Sequence, residues 1–356
     1  MSVHVLPYDT ANPGDTSDFA IKLGTLEPGR IKRLALLVKT EGNSDVNDFS
    51  REFALLSAEQ AIRKHGGDDL LARSTFLFST GCEGAMTPFG YIFADYDDPN
   101  ATVPAGGKSL TIGCARSRSL TPDEIGTPAH SEIAADTVRA AMAQAGVEAK
   151  DVELVIVKTP VMTHIPATSN IKNKRIPSSY SKAVGSLGAG LALGEVDHKH
   201  ITPEVFDKDH SVYAKRVMSF SGSELDCVEI MLLANRPNHP GYLVVKTGFL
   251  ADLLDAPGYR ATLRAAGCEI DSEGCVTDAQ KVVGMMAKVG VAPDGRIRGY
   301  RTTIKSSHLD QDKHTRMLSS GIIGSILGHC RVFISANTVH QAPPGGGLCA
   351  VIAKAS

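Results

Sequence analysis

A chain of 356 residues has room for two or three domains, or for one body assembled from repeated parts. With 42% hydrophobic and 21% charged residues and a formal charge of -2, the composition is that of a globular protein and lacks the basic excess needed to track a nucleic-acid backbone. No apolar run reaches the roughly 18 residues of a membrane span, and the opening Met-Ser-Val-His-Val-Leu-Pro-Tyr-Asp lacks the basic and apolar regions of a signal peptide, so a cytoplasmic location with no membrane partner is expected.

In chain order, the first apolar run, Leu34 to Val38, leads into Lys39. A helix follows over residues 46 to 64, with Val46, Phe49, Phe53, Leu56 and Ala61 at spacings of three and four, and then Phe76-Leu77-Phe78 leads into Ser79. After a turn-rich joint at Asp97-Asp98-Pro99-Asn100, a helix at about 130 to 146 precedes Val152 to Val157, which ends at Lys158. A small-residue helix over 178 to 193 then leads to Val217-Met218 and Ser219. The joint at Asn235 to Gly241 opens the last third. There a helix at 257 to 267 precedes Val282 to Ala287 and Lys288, and a helix over 312 to 328 precedes Val332-Phe333-Ile334 and Ser335.

One pattern thus occurs three times: an apolar strand ending in lysine, a helix, and a second strand ending in serine. The fold class read from it is α/β, with three similar units at residues 1-104, 105-245 and 246-356 packed about a pseudo-threefold axis and one central pocket. Such packing would bring the strand ends together. There, a lysine kept neutral by burial and neighbouring cations can take the proton of a serine hydroxyl and make it a nucleophile. Turns after the serines, loosened by Gly81, Gly222 and Gly345-Gly346-Gly347, could aim N–H groups at a developing oxyanion.

The segments V-K-T-E-G-N (38 to 43), V-N-D-F-S-R-E (46 to 52), S-T-G-C-E-G (79 to 84), S-F-S-G-S-E-L-D (219 to 226) and H-Q-A-P-P-G-G-G (340 to 347) carry a resemblance. From about residue 13 to the C-terminus, the chain resembles the cyanuric acid hydrolases and barbiturases, the ring-opening cyclic amide hydrolases. The resemblance implies three Ser/Lys pairs around one pocket, a homo-tetramer, and hydrolysis of a small cyclic amide with no cofactor. It implies Lys158 as general base and Ser219 as nucleophile of an acyl-enzyme, with Ser221 competing because the alignment of S-F-S-G is ambiguous. Ser219 is preferred, since Val228 to Leu233 then aligns without a gap. Lys39, Lys288, Arg51, Lys182, Arg316, Ser79, Thr80, Phe220, Ser335 and Ala336 would bind substrate.

Departures from the family pattern bear on the substrate. Lys182 stands where the second unit would carry an arginine, so a forked donor becomes a point charge. The serine segments read Ser79-Thr80-Gly81 and Ser335-Ala336-Asn337 in place of Ser-Gly-Gly. The expected substrate is therefore a cyclic imide or ureide other than cyanuric acid and not necessarily barbiturate. The alternatives are a barbiturase, a cyanuric acid amidohydrolase, or a non-catalytic protein that binds a planar cyclic amide. Gly290 and Val339 occupy acidic positions of the family's cation site, so no metal is expected.

Plain structural readings account for the other signals. Seven cysteines without a C-x-x-C pair suggest neither disulfides nor zinc. Gly188-Ala189-Gly190 reads as helix packing and not as a nucleotide loop, His198-Lys199-His200 and His210 as solvated loop, His340 as a loop anchor, and Cys82 as packing.

Overall fold

The computed structural model describes residues 1–43, 47–162 and 175–355. Among these, three four-stranded sheets share one design. The first holds β1 (Ser2–Asp9), β2 (Ile31–Thr40), β3 (Ser74–Thr80) and β4 (Phe89–Tyr96), in the order β1-β4-β2-β3. The second holds β5 (Lys108–Arg116), β6 (Val152–Pro160), β7 (Val217–Gly222) and β8 (Glu229–Pro237), in the order β5-β8-β6-β7. The third holds β9 (Leu243–Leu250), β10 (Val282–Val289), β13 (Phe333–Ala336) and β14 (Gly347–Lys354), in the order β9-β14-β10-β13. The two-residue strands β11 (Arg296–Ile297) and β12 (Tyr300–Arg301) form a separate hairpin. In every sheet the lysine-bearing second strand runs parallel to the third and antiparallel to the fourth. The parallel pair requires a crossover, which a helix supplies.

Each sheet carries two helices: α1 (Ser17–Leu23) and α2 (Ser50–Ala72), then α3 (Pro128–Ala145) and α4 (Ser178–Ala192), then α5 (Ala256–Ala265) and α6 (Gln311–Leu327). Period-two alternation gives every strand two faces with different destinations. Leu37, Leu154, Ile156, Met218, Met286 and Phe333 meet in one core shared by all three sheets, whereas their neighbours Leu36, Val38, Val155, Val157, Met285 and Ala287 pack under the helices. Side-chain to backbone bonds tie the sheets together. Phe76 N donates to Glu229 Oε2 (2.5 Å), Val245 N to Asn235 Oδ1 (2.9 Å) and Met285 N to the Tyr91 hydroxyl (3.2 Å).

The first crossover helix departs from its sequence reading. Phe49 precedes it, and Phe49, Phe53 and Leu56 are more than half exposed, while Ala54, Ala58 and Ile62 are buried. Ala54 and Ala58 let the first half of the helix lie close to its sheet, and Ile62 and Leu70 fill the wider second half. Val46 lies outside the described residues. The small residues of α4 do serve close packing: a Cβ at Gly188 would stand 2.2 Å from the Ser131 carbonyl oxygen of α3.

Candidate active site

The ends of the second and third strands of each sheet open into a cavity of about 420 Å³. Its lining draws on all three units: Arg51, Ser79 and Thr80 from the first, Lys182, Phe220 and Ser221 from the second, Arg316, Ser335 and Ala336 from the third. Lys39, Lys158 and Lys288 are fully buried beneath it, because each continues the inward-facing parity of its strand.

The strand register fixes which residue faces each lysine. Lys39 pairs with Ser79 and Lys288 with Ser335, and in both cases the amine meets the hydroxyl, at 3.1 and 2.9 Å. In the second unit the residue opposite Lys158 is Phe220. Ser219 and Ser221 flank it. Ser219 has the opposite parity, so its buried hydroxyl points under α4, within reach of Gly185, and has no hydrogen-bond partner among the described residues. Ser221 reaches the cavity, but its hydroxyl is bonded to Ser178 Oγ at 2.7 Å. The expected Lys158–Ser219 couple is therefore not formed, and Ser221 does not replace it. A one-residue difference in register moves a side chain to the other face of the sheet, and the S-F-S-G string left that register open.

The three lysines also differ in their neighbours. Lys158 Nζ lies 2.5 Å from Glu224 Oε1 and donates to the carbonyl oxygens of Phe78 (2.6 Å) and Ser221 (3.3 Å). These contacts occupy all three N–H groups of an ammonium. Burial pushes its pKa down to about 8, opposed by Glu224. Lys39 is pushed down to about 7 by burial and then by Arg316. Lys288 falls well below the ordinary lysine value through burial and then the nearby Lys182 cation. Its one hydrogen-bond partner among the described residues is Ser335.

Two interunit ion pairs explain part of this contrast. Arg316 of α6 pairs with Glu83 of the first unit, and Arg51 of α2 lies 3.4 Å from Glu224 of the second. Glu83 and Glu224 stand four residues beyond Ser79 and Phe220, whereas the residue four beyond Ser335 is Val339. The amine at this third junction is Lys182, whose own pKa burial lowers, and the carboxylate that acts on both Lys182 and Lys288 is Asp312 of α6. Sequence reasoning assigned no role to Glu83, Glu224 or Asp312. The recurrence of Glu four residues after two of the register positions was the available signal.

A search against protein families matches residues 2–354 to the amidohydrolase ring-opening proteins. The chain belongs to that family. A cyclic amide hydrolase of Azorhizobium caulinodans is 33% identical over 372 residues, covering 100% of both chains. A cyanuric acid amidohydrolase of Enterobacter cloacae is 33% identical over 373 residues, covering 99% of this chain and 100% of the relative. Among solved structures, a cyanuric acid hydrolase described as arising by structural concatenation matches with a TM-score of 0.88 at 30% identity, over 99% of both chains. The cyanuric acid hydrolase of A. caulinodans matches with a TM-score of 0.87 at 32% identity, over 100% of this chain and 99% of that one. The three-unit α/β architecture is thus the family's fold, on this chain as on its relatives.

Within this family member, the remaining signals have structural partners. His340 accepts from Asp207 N (3.0 Å) and bonds the Val212 carbonyl (2.6 Å), anchoring the loop after Ser335. Burial raises the Cys82 thiol to about 11, which disfavours the thiolate. His198 lies 2.7 Å from Glu132 on the surface. Among the described residues no group of three or more His, Cys, Asp or Glu side chains could hold a metal, and no helix is long and apolar enough to cross a membrane.

Proposed function

We propose that this chain opens the ring of a cyclic imide or ureide by acyl transfer, with Ser335 as nucleophile and Lys288 as its base. The observation that carries this reading is the 2.9 Å contact between Lys288 Nζ and Ser335 Oγ, made by an amine that burial and Lys182 hold well below its ordinary pKa. Lowering the pKa of this amine favours its neutral form, which can accept the serine proton. Ser335 Oγ then attacks a ring carbonyl carbon, and the electron pair of the C=O bond moves to oxygen. Lys182 and Arg316, both lining the cavity, supply positive charge for that oxyanion. Collapse breaks the ring C–N bond, and the Lys288 ammonium returns the proton to the leaving nitrogen. Water, deprotonated by the same amine, attacks the ester carbonyl; the acyl C–O bond to Ser335 breaks, the Lys288 ammonium returns the proton to Ser335 Oγ, and an open-chain acid is released.

Lys158 has a supporting part in this scheme, since its ammonium is consumed by Glu224 and two carbonyls. A second reading is favoured by Lys39, whose pKa of about 7 suits a base and whose amine is 3.1 Å from Ser79 Oγ. Intact-protein mass spectrometry after quenching a reaction with a panel of cyclic imides and ureides separates the two: an acyl adduct on Ser335 supports the first and an adduct on Ser79 the second. Product formation by a Ser335→Ala, Ser79→Ala double variant at the wild-type rate overturns both. Tight binding of every ring without turnover would instead support a binding protein. The same reading has the enzyme act in the cytoplasm and, as its family resemblance implies, assemble as a homotetramer; light scattering tests the assembly.

A further inference from the structure

The three seats around the cavity are not chemically equal. Two present a hydroxyl backed by a lysine, Ser79 with Lys39 and Ser335 with Lys288. The third presents Phe220, which lines the cavity at the register position the two serines hold in their own units. Phe220 is 2% exposed and is fixed edge-to-face against Phe333, with ring centroids 5.4 Å apart. Lys288 Nζ lies 4.9 Å from its ring centroid.

Neither the amine beneath Phe220 nor the hydroxyl beside it replaces the missing serine. Lys158 below it has its donors engaged by Glu224, Phe78 and Ser221, and the Ser221 hydroxyl is engaged by Ser178. A carbonyl pressed against the Phe220 ring would lose its water and gain no donor from that ring, which is the arrangement by which sites reject a polar edge. A hydrocarbon edge would lose nothing there and would gain contact with the aromatic face.

Resting on the ring-opening reading above, we infer that Phe220 is a specificity-determining residue that selects cyclic imides with two carbonyls flanking an N–H and a saturated hydrocarbon edge in the third place. The two carbonyls meet the Ser79 and Ser335 seats, and the methylene edge lies on Phe220. A ring with three identical polar edges is the wrong match for this cavity.

The test uses glutarimide and dihydrouracil as two-carbonyl probes and cyanuric acid as the three-carbonyl probe, with wild type, Phe220→Leu and Phe220→Ser. Wild type opens the two-carbonyl rings with a kcat/KM higher than that for cyanuric acid by about a hundredfold or more. Phe220→Leu keeps that order, and Phe220→Ser shifts the ratio toward cyanuric acid by roughly tenfold or more. Preference of wild type for cyanuric acid, or a folded Phe220→Ser protein with an unchanged ratio, overturns the inference. If no ring is opened, the ring-opening reading fails separately. Calorimetric titration with the same probes then decides the selectivity: tighter binding of glutarimide than of cyanuric acid, weakened in Phe220→Ser, sustains it, and the reverse order removes it.

Discussion

Lys158 and Lys288 occupy the same place in two copies of one folding unit, and their surroundings direct them to different work. Lys158 has a carboxylate at 2.5 Å and two carbonyl acceptors, with no serine hydroxyl among its hydrogen-bond partners in the described residues. Lys288 has a serine hydroxyl at 2.9 Å and a second lysine as its foremost charged influence. The contrast teaches that repetition of a backbone fixes where an amine sits, while the charged side chains placed around it, Glu224 of its own unit for Lys158 and Lys182 of the neighbouring unit for Lys288, fix its charge. A carboxylate in contact stabilises the ammonium and a cation favours the free amine.

The largest effect should come from removing the reactive couple itself. Ser335→Ala is expected to lower kcat by about a thousandfold or more, measured by following loss of ring absorbance under saturating substrate, with Ser219→Ala as the matched control. If the two variants are equally active, the contrast between the units collapses. Next in size is the effect on folding of breaking the middle ion pair. Glu224→Gln leaves the buried Lys158 without its counter-charge and should lower stability by about 3 kcal/mol, read from urea unfolding.

Acid sharpens that second expectation. Lys158 and Arg51 hold the Glu224 carboxyl below its ordinary range despite the opposing effect of burial. Its contribution to stability is therefore complete above the ordinary carboxylate pKa and disappears as pH falls through the lower, folded-state value. Acid unfolding followed by circular dichroism should lose that component in Glu224→Gln.

A smaller change is expected at the third junction. Lys182→Met removes the cation that depresses Lys288, so the amine becomes harder to deprotonate and the rising limb of the kcat/KM profile moves to higher pH. At pH 7 activity should fall roughly tenfold. An unmoved limb would mean that Lys182 only contacts substrate. Least affected should be Ser219→Ala, which deletes a buried hydroxyl that has no partner among the described residues. Activity stays within about twofold and stability within about 1 kcal/mol, checked by the same assays.

Much of the cavity was legible in the letters because a repeat reports position. Lys39, Lys158 and Lys288 close strands whose apolar runs are plain, and Ser79, Ser335, Arg51 and Arg316 recur in equivalent segments. The choice among Ser219, Phe220 and Ser221 was not legible, since three consecutive residues on one strand satisfy the same string under different registers. The inward face of α2 was hidden for a related reason: its large apolar residues point outward, and the close fit of Ala54 and Ala58 exists only against the folded sheet.

By itself, the order of apolar runs, turn residues and terminal lysines determined a threefold α/β chain with its amines at strand ends, because strand and helix periodicities are local properties of a sequence. Only the tertiary structure decided that Phe220 faces Lys158. It also decided that Lys182, on the cavity wall, lies close enough to the buried Lys288 to lower its pKa. Register, burial and the distance between charges depend on how separate units pack, and they set which lysine keeps its proton.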